Sequence, residues 1–400
     1  MFTLRPYQEK AVEAVLEDID KEGNSLVVLP TAAGKSLVIA EIARRINKPV
    51  LILQPSAEIL GQNKAKLEQY VSKSEIGVYS ASFNSKQIRK FTFATIQSIY
   101  KKYHLFKHIG LVLADESHLI NVKNQSSMFM TFLNGIGLHK VIGFTATPYR
   151  NMQLYHKNKW GGFVSDLTLK LINRIKPDFW KRIIFNVNNQ ELFEQGFLCP
   201  LKYYDRSNFQ HSEIKMNKSH TDFDTDKFAE KLKSQESEIL DLIIRASKKM
   251  KSVLVFCNSV AESQSYALKV PNSAHVDGKT PKKERDRIIN GFRDGKIKVV
   301  FNVMVLGIGF DHPELDCIFC LRPTRSLALW YQLCGRGIRI AKGKEYCVIV
   351  DFTSNIKELG RIETIWLGQE KRMFDYNPMW YLKSETEDNW NGKVLYSFSK

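Results

Sequence analysis

The sequence predicts an α/β protein of two doubly wound, mostly parallel sheets in tandem, separated by a stretch of different character. Three observations support that class. Short apolar runs rich in β-branched residues alternate with amphipathic segments of helical spacing. Polar and charged residues gather directly after the apolar runs, at the strand ends where open parallel sheets place their ligands. The alternation breaks after residue 150 and resumes with a helix near residue 236. A chain of 400 residues holds two or three domains at roughly 150 residues each.

Composition narrows the class further. Hydrophobic residues make up 44% of the chain, enough for ordinary cores and too many for wholesale disorder. Lysine and arginine outnumber the acidic residues 59 to 42, a formal charge of +17 that favours a polyanionic partner, nucleic acid first. No basic amphipathic helix with a broad apolar face competes for an anionic membrane, and no apolar run is long enough to span one. Charged residues crowd the N-terminus, which argues against a secretion signal and for a cytoplasmic protein. Six irregularly spaced cysteines indicate a reducing compartment. Cys317 and Cys320 stand in an apolar run with no second pair, so they read as core thiols. His104 and His108 lack the glutamate of a metalloprotease helix and read as surface residues.

In chain order, Leu4, Arg5, Pro6, Tyr7 and Gln8 open a helix that runs to about Asp20. A carboxamide offers a donor and an acceptor together, so Gln8 suits an adenine edge, although exposed glutamine is the ordinary alternative. An apolar strand at 25–29 runs into Pro30, Thr31, Ala32, Ala33, Gly34, Lys35 and Ser36, then a helix to Arg45. Strand, small-residue loop, Gly-Lys-Ser and helix form a phosphate cradle of backbone N–H groups. Lys35 would neutralise phosphate oxygens and Ser36 would ligate Mg²⁺. Leu29 stands where the first glycine of the usual pattern would be, and Ala32 where glycine is common. Strands follow at 50–54, ending at Pro55 and Ser56, at 91–95, and at 108–114. The last ends in Asp115, Glu116, Ser117 and His118, which reads as a metal ligand and a water-activating base after a strand, or as an acidic loop. A strand at 140–144 leads into Thr145, Ala146, Thr147 and Pro148, completing domain one at 1–150.

From Arg150 onward, aromatic and basic residues interleave through Trp160, Lys170, Arg174 and Lys176 to Trp180 and Arg182. A mixture of this kind can stack bases and grip phosphates, or it can pack as a connector; 151–190 is the candidate DNA-contacting element. Residues 205–235 read as a loop or linker. The α/β rhythm then returns, with strands at 252–257, 274–277, 298–303, 316–321 and 346–350, making domain two within 191–353. Gln332, Arg336 and Arg339 are spaced to share one helical face, from which two guanidiniums could reach a phosphate, or form a basic patch. The tail, 354–400, is expected to pack on domain two.

With these blocks in this order, the chain resembles the superfamily 2 helicases and translocases over roughly residues 4–350. Within them it is most similar to the RadD-like, type I restriction-motor and phage branch-migration branch, through Leu4 to Gln8, Gly143 to Pro148 and Leu321 to Thr324. The resemblance implies two RecA-like domains, ATP and Mg²⁺ as cofactors, and forked or branched DNA as partner. It implies nucleotide contacts at Arg5, Gln8, Thr31, Ala33, Gly34, Lys35, Ser36, Gly309 and Asp311, with Ser36 and Asp115 on the metal. Glu116 would activate water, and Gln332, Arg336 and Arg339 would complete the reaction from domain two. Thr145 and Thr147 would couple hydrolysis to motion, and Ser56, Thr95, Gln97, Asn258 and Asn302 would lie near the nucleic acid. Trp160 and Trp180 are the wedge candidates. The expected activity is ATP-dependent DNA unwinding or remodelling. The alternatives are an RNA helicase of the same fold, an ATP-gated clamp on branched DNA without unwinding, and a catalytically silent scaffold.

Overall fold

A computed structural model describes residues 3–137, 140–157, 163–217, 222–306, 310–370, 379–384 and 393–398. The chain divides into two compact units, one of residues 1–150 and 169–188, the other of 151–168 and 189–399.

In the first unit the order is α1 (Pro6–Asp18), β1 (Asn24–Val28), α2 (Lys35–Arg45), β2 (Val50–Gln54), α3 (Ala57–Leu67), β3 (Ile76–Ser80) and β4 (Ser85–Lys86). It continues with β5 (Phe91–Thr95), α4 (Ile96–Ile99), β6 (Leu111–Ala114), α5 (Met128–Ile136) and β7 (Val141–Thr145). The chain then forms β8 (Tyr149–Lys157) and β9 (Phe163–Leu171), which pair as a two-stranded sheet, and β10 (Trp180–Asn186). The first sheet has the strand order β10-β1-β7-β6-β2-β5-β3-β4, parallel except for the β3–β4 pair. Its central strands are buried on both faces, which is why they read as unbroken apolar runs rather than alternating ones.

The strand β10 corrects the expectation that 151–190 forms one inserted DNA-contacting element. It pairs in parallel with β1, so 180–186 belongs to the first sheet. Trp180 is only 1% exposed. A Cβ added at Gly143 would lie 2.6 Å from the Trp180 ring and 2.8 Å from Ser117 Cβ, so the indole fills the space that this glycine leaves on β7. Trp180 is a core residue and is withdrawn as a nucleic-acid contact. Trp160 lies outside the described residues.

The second unit contains α6 (Asn189–Glu194), β11 (Leu201–Asp205), α7 (Thr225–Lys233), α8 (Glu236–Lys249), β12 (Val253–Phe256), α9 (Val260–Lys269) and β13 (Ser273–Val276). There follow α10 (Lys282–Arg293), β14 (Val299–Asn302), β15 (Cys317–Cys320), α11 (Leu327–Cys334), β16 (Cys347–Asp351) and α12 (Asn355–Leu359). Its parallel sheet runs β11-β16-β15-β12-β14-β13. Cys317 and Cys320 are buried on β15, and every cysteine of the chain is a buried free thiol. The expected loop at 205–235 contains α7, capped by Asp224 and burying Phe228 and Leu232. After α12 come β17 (Trp366–Glu370), β18 (Met379–Ser384) and β19 (Lys393–Phe398), an antiparallel sheet. Ile356 and Ile362 are buried, and the Trp330 indole donates to the Gly360 carbonyl at 2.9 Å, tying the start of this tail to α11.

Candidate functional site

The loop between β1 and α2 is held by the N-terminal segment. Tyr7 Oη and Gln8 Nε2 both donate to the Ala33 carbonyl at 2.9 Å, and Gln8 Oε1 accepts the Arg5 N–H at 2.9 Å. Gln8 is thus buried, with its oxygen and one N–H committed to backbone, and it acts on the loop's shape whatever else it touches. Gly34 sits at φ +81°, and a Cβ there would fall 2.3 Å from Gln8 Nε2. Only glycine fits both demands. Ala32 also adopts a left-handed φ of +64°, the physical reason glycine is common at its position.

Lys35 begins α2, and its ammonium donates to Glu116 Oε1 at 2.7 Å, an ion pair mostly shielded from solvent. Glu116 follows β6 at φ +47°, and its N–H donates to Asp115 Oδ1 at 2.9 Å. Burial pushes the Asp115 carboxyl up to about 6, opposed by the Lys35 charge and supported by its acidic neighbour. Helix α3 reaches both candidate metal residues. Asn63 Nδ2 donates to Asp115 Oδ2 at 3.3 Å, and Lys66 Nζ donates to Ser36 Oγ at 2.7 Å. A carboxylate and a hydroxyl are the hard oxygen donors that Mg²⁺ takes. A glycine-bounded loop at a helix N-terminus, with Lys35 beside it, suits phosphate. The residues present fit a magnesium nucleotide.

Behind this cluster, His118 Nδ1 and Thr145 Oγ1 share a hydrogen bond at 2.9 Å, and the Thr147 N–H donates to the same hydroxyl at 3.0 Å. Thr145 also accepts the Leu29 N–H through its carbonyl at 3.0 Å, so the end of β7 is bonded to the start of the phosphate loop. His118 Nδ1 lies 3.4 Å from Glu116 Oε2, and burial depresses the imidazole to about 4, so it is neutral near pH 7. Arg150 grips the His118 carbonyl with two guanidinium nitrogens. Thr145 and Thr147 are both fully buried.

The strand-end candidates for nucleic acid divide into two groups. Ser56 caps α3 by accepting the Ile59 N–H at 3.3 Å, Thr95 bonds Ser98 at 3.0 Å, and Gln97 is exposed. These three stand at the C-terminal ends of the neighbouring strands β2 and β5. A cavity of about 230 Å³ opens there, lined by Gln54, Gln97 and Glu116 among others. In the second unit both candidates are buried. Asn302 is 0% exposed, its Nδ2 donating to the Val255 carbonyl and its Oδ1 accepting the Leu306 N–H. Asn258 is buried and donates to the Thr225 carbonyl at 2.6 Å. Asn302 thus commits both polar groups to neighbouring backbone, whereas the buried Asn258 Oδ1 accepts no hydrogen bond and keeps its place among the candidates.

Also in the second unit, α11 stops at Cys334, so Arg336 and Arg339 stand in the following turn, not on one helical face with Gln332. A Cβ at Gly337 would meet Cys347 Sγ at 2.5 Å, so close packing of this turn on β16 ends the helix. Arg336 Nη1 donates to the Phe310 carbonyl at 2.9 Å, and Arg339 pairs with the Asp311 carboxylate. Arg293 holds the Asp311 carbonyl at 2.9 Å. Gly309 lies outside the described residues.

Two family models match the chain: Type III restriction enzyme, res subunit, over residues 1–150, and Helicase conserved C-terminal domain over 234–341. The chain belongs to superfamily 2 of the helicases. Its two parallel-sheet units are the tandem RecA-like domains of that superfamily. The protein IRC3 of Saccharomyces cerevisiae is 25% identical over 379 residues, which cover 87% of this chain and 51% of IRC3. The DNA 3′-5′ translocase XPB2 of Sulfurisphaera tokodaii is 26% identical over 383 residues, 86% of this chain and 80% of that one. The type ISP restriction-modification enzyme LlaBIII, solved bound to DNA, shares the fold at a TM-score of 0.62 and 16% identity, over 88% of this chain and 28% of LlaBIII. The chain thus spans about half the length of IRC3 and less of LlaBIII. Among its described residues no helix is long and apolar enough to cross a membrane.

Asn63, Lys66 and Arg150 are the site neighbours that sequence reading missed. Their partners are distant in sequence, and each is an ordinary polar residue in a polar stretch, so no local pattern marks them. Tyr7 stood inside a recognised motif, but its bond to Ala33 depends on the fold.

Proposed function

We propose that this helicase hydrolyses ATP to translocate on and remodel forked or branched DNA. The observation that carries the reading is the Lys35–Glu116 ion pair, which joins the phosphate loop to the acidic end of β6 at 2.7 Å. An ammonium held between a carboxylate and a phosphate cradle is a switch. Phosphate oxygens draw Lys35 toward themselves and release Glu116, whose free carboxylate can then orient a water molecule and accept its proton. Mg²⁺, when bound by Ser36 and Asp115, would neutralise charge developing on the transferred phosphate. Neutral His118 keeps Glu116 connected to Thr145, a route from hydrolysis to the β7 end. Gln332, Arg336 and Arg339 keep the role that the motif order assigns them.

DNA is favoured over RNA by the relatives named for DNA, and a formal charge of +17 suits a backbone-gripping partner. Preference for forks rests on the similarity to branch-migration helicases. Strand separation is assigned to 151–168, the part of the basic and aromatic stretch outside the first unit. Unwinding of forked and blunt duplexes tests this reading. Trp160→Ala is expected to keep ATP hydrolysis and lose most unwinding of forks; parallel loss of both activities would contradict the wedge. ATP hydrolysis without strand separation on any substrate would leave an ATP-gated clamp.

A further inference from the structure

We propose that Lys66 is a positioning residue of the phosphate site, a tethered cation that competes with Mg²⁺ for the Ser36 hydroxyl and links metal loading to the N-terminal end of α3. This rests on the phosphate-transfer reading above and adds an element that regulates it.

The contact at 2.7 Å has a fixed polarity. An ammonium carries three donors and no acceptor, so Ser36 Oγ must accept; the bond takes one of its two lone pairs and sets a positive charge where a hard cation would otherwise approach. Lys66 is half-buried on a flexible stem, so its ammonium can shift off the hydroxyl without repacking a core. Three residues earlier on the same helix, Asn63 is 4% exposed and donates to Asp115 Oδ2 at 3.3 Å. Positions three apart share a helix face. One rigid element therefore touches both residues assigned to the metal, one through an amide that supports the carboxylate and one through a charge that blocks the hydroxyl.

The other end of α3 gives this arrangement a purpose. The helix begins immediately after its cap, Ser56, whose Oγ holds the Ile59 N–H. At 1.5 Å per residue, about 15 Å of helix separates Ser56 from Lys66. Ser56 belongs with Gln97 to the strand-end group proposed for DNA. Buried Leu60, Asn63 and Leu67 anchor α3, so the response to a strand engaging that end falls on the half-exposed Lys66 stem, which leaves Ser36 and frees the hydroxyl for the metal. DNA would thereby lower the Mg²⁺ concentration at which nucleotide binds.

The test titrates Mg²⁺ into the full chain with N-methylanthraniloyl ATP, following nucleotide fluorescence with and without single-stranded DNA. Wild type is expected to need less Mg²⁺ when DNA is present. Lys66→Met, which keeps the stem and removes the charge, is expected to lower the DNA-free requirement by about tenfold, the scale of one charge-assisted hydrogen bond. It is also expected to abolish most of the DNA effect. Lys66→Gln is neutral and should behave the same way. A requirement unchanged or raised in either variant would overturn the proposal, because a bond that merely braces the loop predicts a weaker site on its removal. Nucleotide binding that survives Lys35→Ala would instead overturn the phosphate-site reading beneath it.

Discussion

Lys35 and Glu116 are 81 positions apart in sequence and 2.7 Å apart in space, and the chemistry of the first unit follows from that meeting. Much of it was legible because Gly-Lys-Ser and Asp-Glu each carry their own local logic, a cradle for phosphate and a carboxylate pair after a strand. What could not be read was how far each polar side chain would be used up by its neighbours. Asn302 stands at a strand end as a nucleic-acid contact would, yet both its polar groups are spent on backbone within the second unit. Glu262 shows the same competition with an energetic consequence. Its carboxylate accepts the Asn258 N–H at 3.0 Å, and burial pushes the carboxyl up to about 7. The folded chain thus holds this proton more tightly than the unfolded one. The contribution is fully present below the ordinary value of 4.5 and is lost as pH rises through about 7. Glu262→Gln keeps an accepting oxygen and cannot ionise. It is expected to raise stability at pH 8 by on the order of 2–3 kcal/mol and to change little at pH 4.5. Melting temperatures at the two pH values check this, and equal shifts at both would contradict it.

Among the elements, most strands and helices of the doubly wound sheets were legible nearly to the residue, while β3, β11 and α5 were not read from the sequence. Val50–Gln54, Phe91–Thr95 and Lys282–Arg293 have the expected bounds. Buried parallel strands write themselves as apolar runs, and helices between them keep their period. The misses are elements whose signal is mixed. Strand β10 is an edge strand carrying Lys181 and Arg182, so its charge suggested DNA. Arg182 in fact pairs with the buried Asp18 at 2.7 Å, which also holds Lys140 at 2.7 Å. A half-exposed strand bearing structural ion pairs looks like a basic patch until its partner on α1 is known. The correction has a cost that can be measured. Trp180→Ala would leave a void beside Gly143 and is expected to destabilise the first unit by about 3–5 kcal/mol, the range for a buried aromatic. Urea denaturation checks it. A variant of unaltered stability with reduced DNA affinity would restore Trp180 to the nucleic-acid surface.

At the scale of the whole molecule, the order of the motifs along the chain was the strongest signal, because two parallel-sheet units with these strand ends belong to one superfamily. The substrate was not legible to the same depth. A net charge of +17 speaks for a polyanion and leaves its kind open, since reading a 2′-hydroxyl or a fork depends on side chains placed by the fold. The central claim is that Lys35 and Glu116 form a phosphate-transfer site driven by DNA. The direct test is ATP hydrolysis by wild type and Lys35→Ala with no nucleic acid, single-stranded DNA, forked DNA or RNA. Strong stimulation by forked DNA, lost in the variant, is the expected result. Stimulation by RNA alone, or hydrolysis that persists without Lys35, would contradict the account.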